Sequence, residues 1–305
     1  MVEPYNLNAL VSVLIPTNDL TFIDDTIESV FGQTYKDLDI VVVLNGLAVS
    51  EMFNLEQRYS PKVRFFRCNG NGIVPSLNLG LANCRGALIA RIDADDLMPP
   101  ERIERQVKFL QENPTVVCVG GQLEYIAHGG NPKKHPGYPI DDATIKHSLY
   151  RFSAMPHPGL MYRKKEVLAA GGYSTDFPLI EDWNLIVKLA ESHKLANLDT
   201  TVVHYRIHLS QSTVKNSTLQ ENSIQAFAKF RLKNEFLSLK NGDNLPQGLL
   251  RIRRSLAGYL YLYSASNSSG ALKKLIRLIN LLLISLLDPR IPLDYMVKKF
   301  HRLVA

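Results

Sequence analysis

The chain has 305 residues, of which 46% are hydrophobic and 21% charged, the proportions of an ordinary globular protein. That length suffices for one large domain, or one domain plus a smaller appendage, and there is no low-complexity tract or internal repeat. The net charge of +6 divides unevenly, with 20 Lys and Arg against 24 Asp and Glu in residues 1–210, and 15 against 5 in residues 211–305. A slightly acidic body with a basic tail implies that the tail meets something anionic, either a lipid surface or nucleic acid.

No basic region followed by an apolar core and a small-residue cleavage site opens the chain, so no signal peptide is expected. Val11-Ser-Val-Leu-Ile15, stopped by Pro16, predicts a buried strand entering a loop. From Asp24 to Gln33, Ile27, Val30 and Phe31 have the spacing of an amphipathic helix. Asp39 to Leu44 and Val63 to Arg67 predict two further strands, ended by Asn45-Gly46 and by Asn69-Gly-Asn-Gly72. A helix follows over about 75–84, then a fourth strand over 87–92 after the turn at Arg85-Gly86. This alternation argues for an α/β protein with a doubly wound, mostly parallel sheet, its ligand at the carboxyl ends of the strands.

Past Pro99-Pro100 a helix is predicted over 101–112, a strand over 116–119, a loop over 128–140, and a helix from Glu181 to Leu189. From residue 217 the pattern is helical and basic, with breaks at 241–246 and 264–269. Leu275 to Leu287 is a 13-residue apolar run between basic flanks, too short to cross a hydrocarbon core of ~30 Å. It reads either as a helix packed on the body or on a second subunit, or as an interfacial helix on anionic lipid. Cys68, Cys84 and Cys118 lack metal-ligand spacing and lie in or near apolar runs, which suits small buried residues in a reducing compartment.

The chemistry concentrates at Asp93-Ala94-Asp95-Asp96, directly after an apolar strand. Three carboxylates in four residues repel one another unless a cation or hydrogen-bond donors compensate them, and Mg²⁺ or Mn²⁺ takes such oxygens together with substrate phosphates. Alternation along an extended segment would put Asp93 and Asp95 on one side. Taken alone, the triplet reads more readily as a cap at Asp96 with solvated neighbours.

It does not stand alone. Val11-Ser-Val-Leu-Ile-Pro-Thr-Asn18, Ser29 to Tyr35, Asn71-Gly72 with Ser76-Leu-Asn78, Ile89 to Asp96 with Pro100, Arg102 and Gln106, His157-Pro158 with Gly171-Gly-Tyr173, Glu181-Asp182, and Tyr205-Arg206 with His208 follow in order. Over residues 9–213 these blocks resemble the family 2 glycosyltransferases, in particular a bacterial branch that builds capsule, lipopolysaccharide and other surface glycans. The resemblance implies a GT-A nucleotide-diphospho-sugar transferase domain over 1–212, followed by a basic helical extension over 213–305 that associates with membrane. It also implies an inverting transferase using a UDP-sugar and Mg²⁺ or Mn²⁺, with a lipid-linked glycan acceptor at the inner face of the plasma membrane. A homodimer is the alternative use of the extension.

Roles follow position by position from that resemblance. Pro16, Thr17, Asn18, Asn45, Asn71 and Asn78 would line the nucleotide, Asp93 its ribose side, and Asp95 the metal, with Asp93 and His208 as further ligands. Asp182 would be the general base, with Glu181 as its stand-in or as a positioner of the acceptor. His157, Trp183 and Asp96 would face the acceptor or sugar, although Trp183 suits packing equally and Glu181-Asp182 also suits a helix N-terminus. One departure concerns the base. The family's second strand usually ends in two aspartates, where this chain has Leu44-Asn45, and an amide both donates and accepts.

Other classes fit less well. A nucleotidyltransferase carries a Gly-rich basic loop after its first strand, and here Asn18 to Asp25 contains no Lys or Arg. A non-catalytic relative is kept in view by the change at Asn45. A nucleic-acid module has only Tyr259, Tyr261 and Tyr263 near Arg251, Arg253 and Arg254 to support it, and no nucleic-acid partner is expected.

Overall fold

The computed structural model describes residues 10–127, 133–134, 137–208, 211, 216–240 and 245–266. The apolar run at 275–287 lies outside the described residues, as does most of the loop at 128–140. Within the described part, four strands arrive in the order expected: β1 (Val11–Thr17), β2 (Leu38–Asn45), β3 (Val63–Cys68) and β4 (Leu88–Arg91). Between them run α1 (Ile23–Phe31), α2 (Val49–Tyr59) and α3 (Val74–Asn83). β1 pairs in parallel with both β2 and β4, and β2 with β3. Every residue of β1 is buried, as expected for a central parallel strand covered on both faces.

The register positions the site. Thr17 pairs with Leu44 and Arg91 with Leu14, so the ends of β1, β2 and β4 deliver Thr17, Asn45 and Asp93 to one edge of the sheet. α3 lies so close on β1 that a Cβ at Gly80 would stand 2.1 Å from Leu14 Cδ1. The helix therefore needs a glycine there, although glycine costs about 1 kcal/mol in a helix interior.

After α4 (Arg102–Glu112), β5 (Val116–Ala127) runs far past the predicted strand. The two-residue β6 (Lys133–Lys134) pairs with it, so the predicted loop contributes a short antiparallel rung. Then come α5 (Asp142–Ser148), β7 (Met161–Arg163), α6 (Lys164–Ala169), α7 (Glu181–Ser192) and β8 (Lys194–Ile207). The sheet has the order β3-β2-β1-β4-β7-β5-β6, with β8 parallel to β5. β7 is antiparallel to both neighbours. Val13, Ile15, Val42, Leu44, Ala90, Ile103 and Val107 belong to the main core, each large one stabilising by about 1.5–3 kcal/mol.

Two compact units divide the described chain. The first consists of residues up to 146, 153–176 and 181–215. The second consists of 147–152, 177–180 and the residues from 216 onward. Two helices form most of it, α8 (Ser217–Lys240) and α9 (Leu245–Ser266). The predicted breaks are narrower than the sequence suggested, because α9 begins at Leu245 and continues through Ser264. Pro246 is tolerated in its first turn, where the missing N–H has no intrahelical partner to lose.

Candidate active site

β4 ends on Arg91, a guanidinium buried to 1% exposure. Its side chain grips the Asp93 carboxylate through two hydrogen bonds, Nη1 to Oδ2 at 2.7 Å and Nη2 to Oδ1. Arg102, also buried, donates from Nη2 to the Arg91 carbonyl at 2.7 Å and so braces the strand end. Burial raises the Asp93 carboxyl even though Arg91 pulls the other way. The next residues do not continue as extended chain. Asp93 to Asp96 form a turn closed by the Asp96 N–H donating to the Asp93 carbonyl at 3.3 Å. The alternation argument for Asp93 and Asp95 therefore fails, and the turn itself gathers the carboxylates.

The C-terminal end of β8 closes over that turn. The Arg206 N–H donates to Asp96 Oδ1 and Arg206 Nε to the Asp95 carbonyl, both at 2.8 Å. Arg206 also reaches Asp25 at 3.1 Å and lies 4.3 Å over the Phe22 ring. His208 Nε2 lies 2.8 Å from Asp95 Oδ2. Carboxylate oxygens of Asp93, Asp95 and Asp96 lie within 4.8 Å of one another. Asp96 is fully buried, its Oδ2 has no partner, and burial with Asp93 and Asp95 raises its carboxyl well above the usual range. Hard carboxylate oxygens this close, one of them unsatisfied, fit a small divalent cation such as Mg²⁺ or Mn²⁺.

A second acidic pair begins α7. Glu181 is 7% exposed and its Oε2 has no partner. Burial and the neighbouring Asp182 raise its carboxyl to about 7. Asp182 accepts a hydrogen bond from Ser153 Oγ at 3.3 Å, and burial raises it as well. The two acidic groups share one field: Asp93 pushes Glu181 up, and the Arg91 charge acts on Asp93, Asp96, Glu181 and Asp182 alike.

Trp183 is 3% exposed, buried in the first turn of α7. His157 starts a short 3-10 turn, with Nε2 3.1 Å from the Tyr173 hydroxyl. Burial first and the Arg91 charge second depress it well below an ordinary histidine, so its ring is neutral near pH 7. Asn78 is engaged by the Tyr173 backbone. Its Nδ2 donates to the Tyr173 carbonyl at 2.8 Å and its Oδ1 accepts from the Tyr173 N–H at 3.0 Å.

At the β1 and β2 ends, Pro16 and Thr17 are buried and Asn18 is exposed. Thr17 Oγ1 donates to the Asp19 carbonyl at 2.5 Å and shapes the loop. Asn45 Nδ2 donates to the Gly72 carbonyl at 2.7 Å, and its Oδ1 accepts from the Gly70 N–H at 3.1 Å. The amide thus staples the turn that displays the exposed Asn71. A carboxylate could make the second bond but not the first.

The sequence profile of glycosyl transferase family 2 matches residues 12–172, which is more than half of the chain. The chain belongs to that family. This family 2 glycosyltransferase is 28% identical to the O-antigen biosynthesis glycosyltransferase WbnJ of Escherichia coli, over 71% of this chain and 88% of that one. It is 28% identical to the amylovoran biosynthesis glycosyltransferase AmsE of Erwinia amylovora, over 60% of this chain and 70% of that one. Among solved structures, it resembles S. aureus TarS 1–349 in complex with UDP-GlcNAc, with TM-score 0.61 and 14% identity, covering 92% of this chain and 82% of that one. The mannosyltransferase PcManGT from Pyrobaculum calidifontis, in complex with GDP-Man and Mn²⁺, has TM-score 0.55 and 14% identity, covering 97% and 84%. These likenesses support the fold, a GT-A nucleotide-diphospho-sugar transferase fold.

Several residues of the family 2 site carry no role in the sequence reading. Arg91 had a signal, since an arginine in the apolar strand 87–92 needs an anionic partner. Arg206 was visible only as part of a motif. Ser153 had none, because only folding brings it 29 residues back to Asp182.

Proposed function

We propose that this glycosyltransferase transfers a sugar, with inversion, from a UDP-sugar to an acceptor hydroxyl of a growing bacterial surface glycan carried on lipid. The observation that carries this reading is the pairing of two acidic groups in one field around Arg91, one suited to a cation and one to a proton. Asp93 and Asp95, joined by His208, would hold Mg²⁺ or Mn²⁺ against the donor diphosphate. The ion supplies Lewis-acid neutralisation of the departing nucleotide. Asp182 takes the proton of the acceptor hydroxyl as its oxygen attacks the anomeric carbon from the face opposite the nucleotide. Glu181 beside it keeps the pair's charge low until the acceptor arrives, and His157 and Asp96 border the sugar.

The nucleotide lies over the ends of β1 and β2, with Pro16, Thr17, Asn18, Asn45 and Asn71 at its rim and Asn78 acting from behind through Tyr173. The catalytic domain is residues 1–212, and 213–305 form an extension that brings the enzyme to the inner face of the plasma membrane. The WbnJ and AmsE names support the surface-glycan assignment. The TarS and PcManGT complexes support a nucleotide-sugar donor and a metal. No helix among the described residues is long and apolar enough to cross a membrane.

Calorimetric titration with UDP, GDP, ADP and CDP, with and without Mn²⁺, tests the reading. UDP should bind only with Mn²⁺, lose about 100-fold or more in affinity in Asp95→Ala, and keep its affinity in Asp182→Ala. A folded protein that binds none of the four nucleotides would overturn it.

A further inference from the structure

α8 carries apolar side chains on two adjoining sectors, one buried and one largely exposed. One side is committed within its own unit: Phe227 is 1% exposed and stacks edge-on against Phe177 with centroids 5.0 Å apart, and Ala228 is 6% exposed. Arg231 lies 4.4 Å over the Tyr150 ring and donates to the Leu149 carbonyl, and Glu235 pairs with Arg251 at 2.9 Å. The other sector is more open, although the Phe230 ring also lies tilted against Phe177 with centroids 5.4 Å apart. Leu219, Phe230 and Leu237 are 48%, 47% and 46% exposed.

Their spacing makes a ridge. At about 100° per residue, intervals of 11 and 7 place these three residues within about 20° of one another along a stripe of about 27 Å. The exposed Ala226 falls on the same line, with the exposed Lys229 and Lys233 on one flank and Asn216 and Asn234 on the other. The acids of α8, Glu221 and Glu235, fall about 160° from the ridge. The ridge sector thus contains lysines and amides and no carboxylate.

We propose that this ridge is the surface by which the enzyme docks on an anionic bilayer. The proposal rests on the reading that the enzyme works at a membrane face, and it assigns the contact to α8 rather than to the apolar run at 275–287. Leucine and phenylalanine side chains enter the acyl boundary while the lysine stems reach back to phosphate headgroups. A second copy of the chain is a poorer occupant. A two-fold contact presents the same face on both partners and would bring Lys229 and Lys233 near their own counterparts.

The test is flotation of the full-length protein with vesicles of phosphatidylcholine alone or with 30% phosphatidylglycerol, roughly the anionic fraction that gives a measurable surface potential. Wild type should float with the anionic vesicles only. L219E/L237E should lose flotation, and K229A/K233A should lower the partition coefficient about 30-fold, at about fivefold per lysine. Circular dichroism confirms folding, and Mn²⁺-dependent UDP binding is followed in every variant, so a failure of the transferase reading registers separately. The proposal is overturned if wild type ignores anionic vesicles, or if both variants float like wild type. It is equally overturned if light scattering shows a dimer that L219E/L237E dissociates while vesicle binding persists.

Discussion

The two acidic groups of this site are built from the same side chains and supported by different partners. The turn at Asp93 to Asp96 is surrounded by polar partners: Arg91 grips Asp93, His208 Nε2 lies beside Asp95, and Arg206 donates its backbone N–H to Asp96 and its guanidinium to the Asp95 carbonyl. Glu181 and Asp182 have no ion pair among the described residues, only Ser153 and the backbone at the start of α7. The first group is held in place by donors that leave its oxygens gathered for a ligand, although burial raises the Asp93 and Asp96 carboxyls. In the second group burial raises both carboxyls, Glu181 to about 7, and a general base needs a proton affinity close to the working pH.

The sharpest way to break that contrast is Asp182→Asn. Turnover should fall about 1,000-fold, within the range for a lost general base, while donor affinity stays within twofold. Single-turnover kinetics beside calorimetry measures both, and equal losses in each would erase the division of labour. The converse is Arg91→Met, which leaves Asp93 half-buried beside two other acids. Stability should drop by about 3 kcal/mol, read by urea denaturation.

The proton-holding role predicts a pH effect with a definite sign. Glu181, raised from 4.5 to about 7, binds its proton more tightly in the folded state. Its stabilising contribution is therefore complete below pH 4.5 and lost as pH rises through 7. Glu181→Gln should stabilise the protein at pH 8 by on the order of 2 kcal/mol and have little effect at pH 4.5. Thermal unfolding at both values decides it, and equal shifts would show that the raised carboxyl plays no part. The smallest effect is expected at the β2 end. Asn45→Asp turns a donor to Gly72 into an acceptor facing an acceptor, and should weaken nucleotide binding by a few-fold, about 1 kcal/mol. A tightening of UDP binding would mean instead that the side chain reads the base directly.

Legibility followed the physics of each element. β1, β2 and β4 are plain because nearly every residue is buried, and α4 because its buried residues recur at helical spacing. α2 was missed, since Leu55 is its one fully buried residue among the described positions and the rest reads as polar surface. β5 was cut short at Gly120-Gly121, which reads as a turn. Tertiary approach explains those residues: a Cβ at Gly120 would stand 2.2 Å from Asn197 Oδ1, and one at Gly121 2.4 Å from Val202 Cγ1. β8 was missed because Asp199, Thr200 and Thr201 interrupt its apolar run, just where its register with β5 shifts.

The sequence by itself determined the alternation of strands and helices, the sheet edge that carries the candidate site, and the residue types gathered there, because periodicity and charge are local properties. Only the tertiary structure decided that Asp93 to Asp96 form a turn under Arg206 and His208, some 110 residues later. Only it decided that Asn78 and Asn45 support backbone, and that Glu181 and Asp182 have no ion pair among the described residues. Those are questions of which distant groups share a low-dielectric neighbourhood, and desolvation and pairing there set a carboxylate's charge.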